Sequence, residues 1–182
     1  MERNLAMIAL LAALIAALGL IPKITLASGI PITAQSLGIM LCGTVLGARR
    51  GALAVLLFLG LVALGLPLLS GGRGGIAQFM KPWAGFLFGF PIAAFVTGLV
   101  MEKWRGSEIG AGAAIAAFAG GIAVLYLIAV PYYMVMAGSG LVEALFTAML
   151  PFIPGDLIKV GIAGYITSAM YKARPESVLS RS

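Results

Sequence analysis

Apolar residues run almost unbroken through six stretches, 5–21, 34–48, 51–69, 84–101, 109–136 and 151–171, and short segments between them hold nearly all the charge. A membrane core calls for about 20 apolar residues per helix. The pattern therefore predicts an all-α integral membrane protein, a single bundle of six transmembrane helices. The first stretch follows Glu2 and Arg3 and lacks a small-x-small cleavage site before a polar start. It is read as a retained helix rather than a signal peptide. As a helix the second stretch spans roughly 22 Å, short of the ~30 Å hydrocarbon layer. Pro31-Ile32-Thr33-Ala34-Gln35, just ahead of it, is predicted to dip to membrane depth against protein rather than lipid, and Arg49-Arg50 to close it. Residues 137–150 read as a connector with its own apolar face, and 172–182 as a polar cytoplasmic tail.

Composition agrees with the pattern: 62% of the 182 residues are hydrophobic and 10% charged, where a soluble domain carries about 25% charged residues. The 25 glycines suit closely packed membrane helices. A net charge of +6 is no sign of nucleic-acid binding, because the basic residues are scattered over loops and tails. They report topology instead. Six spans place Arg3, Arg49, Arg50, Lys103, Arg105, Lys172, Arg174 and Arg181 on one side, and Lys23, Arg73 and Lys81 on the other. That bias puts both termini in the cytoplasm.

The charge inside the last stretch is the chemical signal. Between Glu143 and Lys172 the charged residues are Asp156, the single aspartate of the chain, and Lys159. Charges within a span are costly and mark function or a mutual pair, and a spacing of three puts both on one helix face. Two readings remain: a ligand-binding pair, or an N-cap at Asp156 with a local ion pair. The loop Ser70-Gly71-Gly72-Arg73-Gly74-Gly75 is either a flexible surface turn or a backbone able to approach a ligand closely. In the proposed topology this loop, the 31–35 dip and Asp156 all reach the outer end, as an outward-opening site would require. Ala9, Ala13 and Ala17 form a small-residue stripe for which internal packing is the default reading.

Several activities are excluded. The chain has no histidine, so His triads, His metal sites and His relays are absent. One aspartate cannot form an aspartyl dyad. The single cysteine, Cys42, allows neither an internal disulfide nor a metal cluster. No lysine follows a glycine, so the phosphate loop of an ATPase is missing.

Five ordered motifs resemble the BioY family, the biotin-capturing S-components of energy-coupling-factor (ECF) transporters. They are Pro31-Ile32-Thr33-Ala34-Gln35-Ser36-Leu37-Gly38, Leu46-Gly47-Ala48-Arg49-Arg50-Gly51-Ala52, Gly65-Leu66-Pro67, Gly71-Gly72-Arg73-Gly74-Gly75 and Ile153-Pro154-Gly155-Asp156-Leu157-Ile158-Lys159. The resemblance implies a six-helix bundle in the bacterial inner membrane with an outward pocket for biotin. It implies no cofactor and no enzymatic activity. The implied partners are a transmembrane coupling subunit and two cytoplasmic ATPases, in keeping with the missing phosphate loop.

By the same resemblance Asp156 and Lys159 contact substrate, Gln35 is a pocket amide, and Arg73 is the polar position of the glycine loop, with Thr33 and Gly75 beside them. The alanine stripe resembles the face that docks on the coupling subunit. Where the family usually reads close to Gly-Pro-Thr-Gly-Gly-Tyr, this chain has Lys81-Pro82-Trp83-Ala84-Gly85-Phe86. Lys81 could supply a cation there, and Phe86 with Tyr126 an apolar wall. The competing function is an ion-coupled secondary carrier for a small carboxylate-bearing solute, with Asp156 as its proton site. Uptake driven by ATP rather than by a proton gradient separates the two.

Overall fold

The computed structural model describes residues 2–22, 24–25 and 31–181. Lys23, assigned to the outer side above, lies outside the described residues. Among the described residues eight α-helices form in chain order: α1 Glu2–Leu18, α2 Gln35–Leu46, α3 Ala48–Ala63, α4 Ala84–Lys103, α5 Ile109–Phe118, α6 Leu125–Ala137, α7 Leu141–Ala148 and α8 Ile153–Ala173. A π-helical turn, Ala119–Val124, joins α5 to α6 into one apolar rod of 29 residues. Between α1 and α2 a two-residue antiparallel pair, β1 Ile24–Thr25 with β2 Pro31–Ile32, sets Ile24 opposite Ile32. Two helices, Ala84–Lys103 and Ile109–Ala137, are each long and apolar enough to cross a membrane, and α7 with α8, bent by 52°, pass the same test when taken together as one span.

At the centre lies α2. From Gly38 to Leu46 every residue of it is buried, because α1, α3, α4, α5 and α8 pack around it. The backbone of this short helix is therefore met by its neighbours. Contact with α4 is close. A Cβ on Gly43 would stand 2.6 Å from the Ala94 carbonyl oxygen, so only glycine fits there.

Two boundaries differ from the sequence reading. The Arg49-Arg50 pair does not close the second stretch. It lies in the first turn of α3, which follows α2 after the single residue Gly47 at φ +86°. A left-handed backbone is what reverses the chain in one residue, and periodicity carries no trace of it. The last helix, α8, also runs two residues past the 151–171 stretch, to Ala173. Residues 175–181 fold into short 3-10 turns, with Val178, Leu179 and Ser180 buried. Ser180 donates to the Thr44 carbonyl at the end of α2, and Arg181 to the carbonyls of Met101 and Trp104 after α4.

The bundle thus has two ends of different character. One gathers the α2–α3 junction, the end of α4 and the docked tail. The other gathers the end of α1, the start of α2, the glycine loop and the start of α8.

Candidate ligand pocket

At the second end, α2, α4, α6 and α8 and the glycine loop enclose a cavity of about 680 Å³, mouth included. Its polar groups come from α2, α6, α8 and the glycine loop, with Thr33 just ahead of α2.

Asp156 lies one turn inside α8, whose cap position is Phe152, and its side chain makes no cap bond. The N-cap reading therefore fails. Its carboxylate, 5% exposed, accepts from Lys159 Nζ at 2.9 Å and Ser36 Oγ at 3.4 Å on Oδ1, and from the Tyr126 hydroxyl at 2.6 Å on Oδ2. Lys159 also donates to Ser36 Oγ at 2.8 Å. A buried ion pair persists when such bonds satisfy its remaining valences. The carboxylate has about four lone-pair sites and the ammonium three donors, so among the described residues one acceptor site, on Oδ2, and one Lys159 donor have no recorded partner.

Gln35 lines the cavity, but its amide is occupied. It donates to the carbonyls of Ile15 at 3.2 Å and Leu68 at 3.0 Å, and its oxygen accepts from Ser70 N–H at 3.1 Å. That side chain fastens α1, α2 and the glycine loop together. Thr33 lines the cavity too and caps the start of α2 by accepting from Gln35 N–H at 3.3 Å.

The glycine loop is an ordered turn. Leu69 and Arg73 exchange backbone bonds of 2.9 and 3.2 Å across Gly71 and Gly72, both at positive φ, where side chains other than glycine are strained. The turn holds Arg73 at the cavity, its guanidinium 5.8 Å from the centre of the Trp83 ring, as in a cation–π contact. Nε donates to the Ser70 carbonyl at 3.1 Å, and the terminal nitrogens make no recorded bond to the described residues. Partial burial lowers the Arg73 pKa from its ordinary value, so an incoming anion would replace lost hydration.

Aromatic rings complete the wall. Phe86 stands edge-on to Tyr126 with centroids 5.8 Å apart and tilted against Phe152 at 6.2 Å. The π-helical turn ends just before Leu125 and Tyr126, both of which line the cavity. A wide turn of this kind changes which face the following residues present.

Two expected residues are not brought in. Lys81 is exposed and outside the lining. Gly75 lies at the start of a 3-10 turn, donates its N–H to the Val62 carbonyl at 2.7 Å, and does not line the cavity.

A family model described as BioY family matches residues 2–176. The chain belongs to the BioY family. It is similar to the biotin transporter BioY of Rhodobacter capsulatus, at 48% identity with both chains covered in full. Its identity to the biotin transporter BioY of Rhizobium etli is 49%, over 95% of each chain. Among solved structures it is similar to the S-component for biotin from an ECF-type ABC transporter, with a TM-score of 0.88 and 30% identity, over 94% of this chain and 92% of that one.

In this BioY chain the residues missed by sequence reasoning are Ser36, Trp83 and the hydroxyl role of Tyr126. Ser36 had a signal, a hydroxyl beside Gln35 at the head of an apolar helix. Trp83 and Phe86 both line the cavity, Trp83 as a platform beside the Arg73 guanidinium and Phe86 as part of the apolar wall.

Proposed function

We propose that this chain is the biotin-capturing membrane subunit of an ATP-powered ECF-type vitamin importer, a substrate-binding subunit rather than an enzyme. The observation that carries this reading is the open donor and acceptor left on the Lys159–Asp156 pair. A cyclic urea presents an N–H beside a carbonyl, so Asp156 can accept from the one while Lys159 donates to the other. Phe86, Tyr126 and Phe152 then flank the fused ring, and Arg73 at the loop meets the chain-end carboxylate. Equilibrium binding of labelled biotin to the purified protein tests the function directly. Absence of saturable binding would overturn it.

The assignment of ends has its own test. Arg73→Gln should weaken biotin binding by about ten- to a hundredfold, the worth of one hydrogen bond to a charged group. The same variant should bind the primary amide of biotin as the unaltered protein does. Equal losses for acid and amide would remove Arg73 from the carboxylate end.

For topology the proposal is six spans in a bacterial inner membrane with both termini in the cytoplasm. The first, third, fourth, fifth and last spans rest on α1, α3, α4, the α5–α6 rod and α8, and the enclosed α2 is the second. Eight basic residues then lie on the tail side. In a Cys42→Ala background, cysteines at Ala77 and Gly140 should react with an impermeant thiol reagent added outside intact cells. Those at Ser107 and Glu176 should not. A reversed pattern would point the pocket to the cytoplasm and exclude capture from outside.

The partners in this reading are a transmembrane coupling subunit and two cytoplasmic ATPases. Support comes from the missing phosphate loop, which leaves the energy source to another chain, and from α1. Ala9, Ala13 and Ala17 are exposed, while Leu11, Ala12 and Ile15 face the core. The stripe is therefore no internal packing seam, and its smooth face is free for a helix of the coupling subunit.

A further inference from the structure

The tail end of the bundle carries a second polar cavity, about 850 Å³ with its mouth, lined by Arg50, Glu102, Trp104, Arg105, Ser180 and Arg181 among others. Its charge is unbalanced. Among the described residues the recorded salt bridge is Lys159–Asp156, at the opposite end. Glu102 lines the same cavity, and its Oε1 accepts from the Ala48 N–H at 2.9 Å at the start of α3. Arg181 is fixed by the carbonyls of Met101 and Trp104, so the docked tail delivers one guanidinium to the cavity in a set position. Among the described residues, three guanidiniums and one carboxylate thus line one polar space, an excess of two positive charges, and none of the three is in a recorded salt bridge.

A neighbouring cavity shares Arg50 and Glu102 with it and continues between α3 and α4, where its walls are Ala48, Arg49, Phe95 and Leu99. Phe95 is 39% exposed. A cationic recess adjoining a groove whose α4 side carries the apolar Phe95 and Leu99 offers the two-part chemistry of a phospholipid. Arginine forks match phosphate oxygens, and basic pockets at the cytoplasmic ends of membrane helices suit anionic headgroups.

We propose that the recess of Arg50, Arg105 and Arg181 binds the phosphate of an anionic phospholipid, with an acyl chain lying along Phe95 and Leu99 between α3 and α4. The proposal rests on the membrane reading above but not on biotin. Lipid bound there would bridge α3, the end of α4 and the tail, and so clamp the tail end of the bundle.

The test uses the purified full chain, delipidated in neutral detergent. Phosphatidylglycerol, phosphatidylcholine or inorganic phosphate is added, and lipid retention is read by native mass spectrometry and stability by thermal unfolding. Phosphatidylglycerol should be retained and should raise the melting temperature, and phosphatidylcholine should do neither. Arg50→Gln with Arg105→Gln should cut phosphatidylglycerol affinity by about thirtyfold and leave biotin binding unchanged. Lys172→Gln with Arg174→Gln, on the same end but outside the recess, should retain the lipid effect. Equal losses in the two double variants would mean diffuse surface charge and overturn the site. A stabilisation reproduced by inorganic phosphate alone would make it a free-anion site and overturn the lipid assignment. Loss of biotin binding with lipid binding intact would instead count against the pocket reading and leave this one standing.

Discussion

The Asp156→Asn protein is expected to bind biotin ten- to a hundredfold more weakly and to melt at a lower temperature. The two losses have different causes. An amide at this position keeps one acceptor oxygen and turns its NH2 either toward Lys159 Nζ and Ser36 Oγ or toward the Tyr126 hydroxyl, donors that the carboxylate accepts. The ligand's N–H then loses its charged acceptor, worth roughly 1.5–3 kcal/mol. Separately, Lys159 becomes a largely buried cation with no counter-charge, and breaking such a pair costs about 3–5 kcal/mol of stability. A second variant keeps these apart. Asp156→Asn combined with Lys159→Met removes both charges, and swapping a whole buried pair is often neutral or stabilising. The double variant should therefore regain most of the melting temperature and remain unable to bind biotin. If binding returns along with stability, the pair is structural and the ligand is held elsewhere.

That experiment works because the pair was visible as local chemistry. Two charges three residues apart in an otherwise apolar stretch can be found by counting, since helix geometry makes them neighbours. Tyr126 and Ser36, which complete the group, come from α6 and α2, and no local rule links them to α8. Gln35 shows the opposite failure. Its type and place suggested a ligand amide, but its partners Ile15, Leu68 and Ser70 are distant along the chain. Only their meeting in space reveals a fastener. Arg73 was selected for its glycine setting and does reach the cavity, whereas Lys81 sits eight positions further on and faces out.

The helices followed the same division. Apolar run length located α4, the α5–α6 rod and α8 closely, because burial in lipid or protein asks for the same residues over the same length. The α2–α3 reversal at Gly47 and the docking of Val178 to Ser180 depend on one backbone angle and on three buried residues without periodicity. Motif order still carried the family name, because those motifs sit at the reversal, the turn and the pocket, where backbone and side chain are both constrained.

Ala13→Trp is expected to separate capture from transport. Ala13 is exposed, midway between Ala9 and Ala17 on the side of α1 opposite Leu11, Ala12 and Ile15. An indole there displaces lipid or detergent rather than core atoms. The overpacking cost of about 1–3 kcal/mol for an enlarged buried side chain should not arise, and the melting temperature should hold. Among the described residues none from α1 lines the cavity, and the hydrogen bond from α1 to a lining residue is the Ile15 carbonyl accepting from Gln35, a backbone atom on the far face, so biotin affinity should hold as well. A partner helix fares differently. Close approach over a small-residue stripe depends on the absence of side-chain bulk, and an indole would hold the helices apart along that seam. Recovery of the coupling subunit on co-purification should then fall together with ATP-driven biotin uptake, with binding by the isolated chain untouched. Measuring biotin affinity, melting temperature, complex recovery and uptake on this one variant decides the matter. Full complex recovery with normal uptake would place the coupling surface on another face of the bundle.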